Sequence, residues 1–152
     1  MKLNVLLAAV LFAVGSAQAV EVGVNASRDY GFSPSDTNGG GITIGQKFGA
    51  TGVTAGWDRY TTNGVGQNKW SVVGSYDVTK VAGATVAVKA GAAYLDNSGS
   101  TADGYAVLVG AGVSYPLTKE LAATVDYRYQ AGQDRVKQFD GNTVAVGLKY
   151  SF

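Results

Sequence analysis

The chain has 152 residues, with 12 Lys and Arg against 11 Asp and Glu, and neither His nor Cys. These absences exclude a disulfide scaffold, His-dependent catalytic triads and His-ligated metal centres, and no metal or other cofactor is expected. The 22 glycines follow no Gly-X-Y period, which excludes collagen, and the near-neutral charge argues against nucleic acid, which calls for a basic patch.

The chain opens with a processing signal. Lys2 is a positive n-region, Leu3 to Val14 is apolar apart from Asn4, and Ala17-Gln18-Ala19 is an A-x-A cleavage site. Residues 1–19 are therefore read as a signal peptide and 20–152 as the mature domain. The apolar run is too short for a spanning helix, which needs about 20 residues. Any membrane span must then be built of strands. Without Lys2 the mature part has 11 basic and 11 acidic residues.

Eight segments alternate apolar and polar positions, as expected for strands, whose side chains have a period of two. They run over 20–30, 41–48, 52–60, 69–77, 84–95, 104–115, 121–130 and 142–152. Most approach the roughly 9–11 residues that a tilted membrane strand requires. The connections alternate in length. Longer ones cover Gly31–Gly40, Thr61–Asn68, Asp96–Asp103 and Ala131–Gly141, and short ones cover 49–51, 78–83 and 116–120. Long loops at one end and tight turns at the other are the pattern of an up-and-down barrel with extracellular loops and periplasmic turns. The fold class expected is all-β: an eight-stranded antiparallel up-and-down transmembrane β-barrel.

One parity of the strands gathers two groups of aromatics separated by small aliphatics. Tyr30, Trp57, Trp70, Tyr94, Tyr105, Tyr127 and Tyr129 lie toward the loops, and Phe48, Tyr76, Tyr115, Tyr150 and Phe152 toward the turns. Two aromatic belts are what two membrane interfaces demand. Gln46 and Gly74 fit this lipid face poorly. The other parity collects Glu21, Lys47, Asp58, Asp77, Lys89, Asp126, Arg128 and Lys149, an interior charge network in which the acids pair with the bases. Eight strands enclose a space that side chains just fill, so the interior is expected to be a packed polar core. Glu21 is expected between Lys47 and Lys149, either as charge neutralisation or as a gate working by partner exchange. Arg28, Arg59, Lys69, Arg135 and Lys137 are expected near the loop end, within reach of lipopolysaccharide phosphates.

The last residues alternate up to a terminal aromatic, with Val144, Val146, Leu148, Tyr150 and Phe152 on one face. This resembles the closing strand of bacterial outer-membrane barrels. Tyr115-Pro116-Leu117-Thr118 followed by Val125-Asp126-Tyr127-Arg128-Tyr129 resembles the seventh-strand region of the small barrels grouped around the OmpA transmembrane domain, OmpX, NspA and the opacity-type proteins. The resemblance covers the whole mature chain. It implies that Leu148, Tyr150 and Phe152 act as an assembly signal read by the outer-membrane assembly machinery. It also implies a monomer exported to the outer membrane. The chain stops at Phe152, so the peptidoglycan-binding domain of full-length OmpA proteins is expected to be absent. Barrel enzymes of similar size, the lipid A deacylases and palmitoyltransferases, depend on a catalytic His, so no enzymatic activity and no catalytic residue is expected.

Three classes of function remain. The first is a structural or surface-interaction barrel, contacting membrane lipid, lipopolysaccharide, host or matrix through four loops. The alternative is a narrow gated ion channel of porin type. A soluble periplasmic lipid-binding barrel comes third, because its cavity would need an apolar interior.

Overall fold

In the computed structural model eight antiparallel strands close on themselves in sequence order, each bonded to the next and β1 to β8. The structure describes residues 19–30, 37–62, 65–97, 103–133 and 140–152. The expected signal peptide, apart from Ala19, lies outside these residues, as do Arg135, Lys137 and much of the four longer connections. The strands are β1 (Ala19–Tyr30), β2 (Thr37–Phe48), β3 (Thr51–Thr62), β4 (Val65–Val81), β5 (Ala84–Asn97), β6 (Gly104–Pro116), β7 (Leu121–Gly132) and β8 (Gly141–Ser151). Pro116, expected outside the strands, ends β6, a position where the missing amide does no harm.

Two strands outgrow their expected limits by four residues or more. The second begins at Thr37 rather than Gly41, because Gly39 and Gly40, which look like loop residues, pair with Ser27 and Ala26. The fourth runs 17 residues. Its register shifts between Asp77 and Thr79, a bulge that breaks the alternation at Val78 and hides the rest of the strand. Pairing of Thr62 with Val65 reduces the expected Thr61–Asn68 loop to residues 63–64. The short turns are at 49–50, 82–83 and 117–120. Ala82 and Gly83 both have positive φ, of 50° and 86°, as a two-residue hairpin turn following the strand twist requires.

Register determines the shape. The partners of Asp29 can be followed through Thr143, Arg128, Gly110, Lys89, Ser75, Gly52 and Lys47 back to β1 at Ala19, ten residues from the start. Eight strands with a stagger of ten residues lean roughly 40° from the axis, which sets a narrow bore.

The surface is inside-out relative to a water-soluble barrel. Val22, Val24, Ile42, Ile44, Val88, Val109, Val125, Val146 and Leu148 are exposed on the outer wall, while Asp29, Asp58, Lys69, Ser71 and Gln130 are buried. The outer wall has aromatics at both ends, including a tilted Trp57–Trp70 pair with ring centroids 6.1 Å apart toward the loops and an edge-on Tyr150–Phe152 pair at 4.9 Å toward the turns. A wall of this kind is stable in lipid, where the closed ladder satisfies every strand amide internally. Gly74 is exposed on this wall, whereas Gln46 is buried and neither of its amide atoms finds a partner.

Candidate functional site: the barrel interior

The interior has two halves of different character. Toward the turns it holds a cavity of about 210 Å³, lined among others by Glu21, Lys47, Asp77, Lys89, Asp126 and Lys149. These six charges come from β1, β2, β4, β5, β7 and β8, and their sign alternates around the wall. Among the described residues they form three ion pairs. Lys149 Nζ lies 2.9 Å from Glu21 Oε1, Lys47 pairs with Asp77, and Lys89 pairs with Asp126. All six side chains keep partial contact with solvent. That limits both the desolvation cost and the stability that the pairs contribute.

The expected position of Glu21 between two lysines is corrected here. Lys47 turns away from Glu21 to Asp77, across β3, where Gly52 presents no side chain to block the way. The expected uniform polar packing is corrected too. The turn half is an open vestibule, and only the loop half is filled.

The loop half is a plug. Tyr60, Leu95, Leu108, Gln130, Thr143 and Asp58 are all less than 2% exposed or at that limit. Leu108 packs with Val73 and Ala93, and Leu95 with Ala106, so one side of the plug is apolar. The other side is polar and charged. Asp58 accepts a hydrogen bond from Asn25 Nδ2 at 3.2 Å, Asp29 accepts one from the Thr143 hydroxyl, and Lys69 Nζ lies 4.6 Å from the centroid of the Tyr60 ring. Glycines on β2 make the room. A methyl group at Gly39 would collide with the Tyr60 ring, and one at Gly41 with the Asp58 carboxylate.

Lys69 is therefore corrected from the loop-end surface to the plug. It is 2% exposed, because β4 extends four residues beyond it to Val65. Asp29, absent from the expected network, joins it, and the odd parity begun at Glu21 places it there. Asp58 and Arg128 were expected to pair with opposite charges. Among the described residues neither forms an ion pair, and the Arg128 Nε is buried without a hydrogen-bond partner. The carboxylates of the plug accept from neutral donors, and Lys69 lies against the Tyr60 ring within the field of Asp29 and Asp58.

At the end of the chain Leu148, Tyr150 and Phe152 project outward. Phe152 is 77% exposed, and its amide donates to the Val20 carbonyl at 2.9 Å, which fastens the last residue to β1.

Solved structures of similar architecture include bacterial outer-membrane barrels and designed transmembrane barrels. The N-terminal β-barrel domain of Pseudomonas aeruginosa OprF aligns with a TM-score of 0.70 at 22% identity, covering 90% of this chain and 98% of that one. Neisserial surface protein A aligns with a TM-score of 0.64 at 18% identity, covering 88% and 96%. Yersinia pestis Ail in a phospholipid nanodisc aligns with a TM-score of 0.59 at 13% identity, covering 90% and 100%. At these identities the likeness is one of fold. No curated protein matches the chain in sequence. The family model described as the porin subfamily matches residues 37–150, from the start of β2 to the penultimate residue of β8, and the chain belongs to that family.

Proposed function

We propose that this protein is an integral outer-membrane barrel closed to free diffusion, whose work lies at the cell surface and in the outer leaflet. The observation that carries this reading is the plug. Tyr60, Leu95 and Leu108 close the bore in the loop half, and the vestibule below them is blind. Porins with 16–18 strands leave an aqueous channel, whereas eight strands enclose little more than their own side chains. In this reading the turns are periplasmic, the loops are extracellular, and the mature chain begins near Val20 after removal of the signal peptide. The partners are membrane lipid, lipopolysaccharide and the assembly machinery, with host or matrix contact through the loops as a further candidate. No catalysis is part of it.

A narrow gated channel is the second reading. Membership of the porin subfamily and the solvated vestibule favour it. Planar-bilayer recording of the refolded protein separates the two. Silent traces or rare flickers are expected. Large, long-lived and weakly selective openings would move the protein to the channel class.

A further inference from the structure

At the loop-end rim two exposed bases stand on the outer wall, with acids on other strands, among them Asp140 just before β8, whose carboxylate accepts from the Gly132 amide. Arg28 on β1 and Arg59 on β3 are exposed, while Asp96 lies on β5 and Asp103 just before β6. The two arginines stand at one level. The ladders climb ten residues per circuit, about 1.25 per strand. A level line from Arg28 therefore meets β3 about two and a half residues below its register position, Thr61, which is at Arg59. Two strand spacings, roughly 9.5 Å, and two residues along β3 separate them, which puts their Cα atoms about 12 Å apart.

At this level β4 presents Trp70, β5 Tyr94 and β7 Tyr129, the members of the aromatic belt. Over β1–β3 the belt members sit off this level, Tyr30 two residues above Arg28 and Trp57 two residues below Arg59. Between the arginines β2 presents Gly40, where an added methyl would meet no side chain within 4 Å, only the Asn25 carbonyl at 3.1 Å. Just above, Asn38 faces outward between them, and Asn68 lies directly across from Arg59. Both guanidinium groups lean toward the loops. Arg28 lies 5.5 Å from the Tyr30 ring centroid, and the Arg59 Nη2 is 3.4 Å from the position a Cβ would take on Gly66. Arg59 pairs with no carboxylate among the described residues.

We propose that Arg28, Asn38, Arg59 and Asn68 form a docking site for the phosphate groups of lipopolysaccharide, Arg28 acting with Asn38, and Arg59, which leans to β4, acting with Asn68, on either side of the bare backbone at Gly40. This rests on the membrane orientation set out above. Two guanidinium forks suit phosphate oxygens better than point charges would, and the carboxamides add neutral donors between and beside them. Long arginine stems reach the headgroup level while their methylenes stay on the apolar wall. A full aromatic belt would hold this flank at the interface without selecting a lipid. Arginines and a bare glycine set between Tyr30 and Trp57 add to this flank a preference for phosphate.

The protein carries its own reporter, because its two tryptophans, Trp57 and Trp70, lie beside the site. The refolded protein in zwitterionic micelles is titrated with lipopolysaccharide while Trp emission is followed. A saturable change is expected. R28Q/R59Q should raise the half-saturating concentration at least about tenfold, as loss of charge-assisted bonds implies. N38D, which sets a carboxylate between the arginines, should do the same and serves where the double variant fails to insert. D96N should leave the titration unchanged. Lipopolysaccharide stripped of its phosphates should bind as weakly to the unsubstituted protein as the intact lipid does to R28Q/R59Q. The proposal is overturned if R28Q/R59Q or N38D keeps a heat-modifiable gel band and titrates like the parent. It is equally overturned if stripped lipopolysaccharide or phosphatidylglycerol matches the intact lipid. Absence of a heat-modifiable band in the unsubstituted protein would instead sink the barrel reading beneath it, so the two failures are distinguishable.

Discussion

Val88 and Lys89 are adjacent in the chain and lie on opposite sides of the wall. Val88 is exposed toward lipid, and Lys89 reaches Asp126 along the inner wall over Gly112 of β6. Val88→Lys should therefore insert poorly, since a Lys near the midplane on the lipid face costs about 2–4 kcal/mol. Lys89→Leu should insert, because Asp126 stays partly solvated once its partner is gone. Equal recovery of both variants in the membrane fraction would contradict the parity of β5. Glycines on the two faces give a second contrast. A methyl on inward Gly91 would strike the backbone carbonyl of Val72, which cannot move aside, whereas at outward Gly74 the nearest atom is 3.6 Å away. Gly91→Ala should cost at least about 1–3 kcal/mol, as overpacking does, and Gly74→Ala close to nothing. Urea unfolding from vesicles measures both, and equal midpoints would refute the assignment of faces. Parity alone placed all eight expected interior charges on the inner wall. Which acid meets which base was not legible, because a partner such as Asp77 for Lys47 lies across an intervening strand, and only the three-dimensional stagger decides it.

At the scale of elements, local composition misleads where a strand serves the lumen. Thr37–Gly41 is polar and rich in glycine, which ordinarily marks a loop. It is strand, and its glycines exist for Tyr60 and Asp58, residues on β3 that no reading confined to β2 can supply. In β4 the bulge after Asp77 ends the visible alternation four residues before the strand ends. Lys69 was misplaced for the same kind of reason, since a Lys at the expected first residue of a strand looks like a rim residue. By contrast β8 was legible almost to the residue, because its alternation is unbroken. Its last side chain packs on little beyond Tyr150 and is largely exposed. Deleting Phe152 should then cost little folding stability but should lower the amount inserted and raise periplasmic degradation. Cell fractionation at native expression tests this. Full insertion of the deletion variant would argue against an assembly role for the terminal aromatic.

For the whole molecule, the family name and the geometry pull in different directions, and the division of the lumen reconciles them. A porin-type strand pattern specifies an apolar outer wall and a polar inner one, but how much water passes depends on strand number and on what fills the bore. Here the inner wall is polar and charged in the turn half, where the vestibule retains a cavity of about 210 Å³, and partly apolar in the plug. Blockage is confined to the loop half. The barrier to ions should therefore map to the plug and not to the charge ring. Tyr60→Ala combined with Leu95→Ala and Leu108→Ala removes three fully buried side chains from the loop half while leaving the backbone ladder intact. That variant should keep its heat-modifiable band and convert silent or flickering bilayer traces into sustained openings. Lys47→Gln with Lys149→Gln, which loosens two of the three ion pairs in a region already open to water, should leave the traces of the parent unchanged. Sustained openings from the lysine variant alone would place the barrier in the ring and favour the gated-channel reading. A triple plug variant that inserts and stays silent would mean that the bore is closed elsewhere, above the strands.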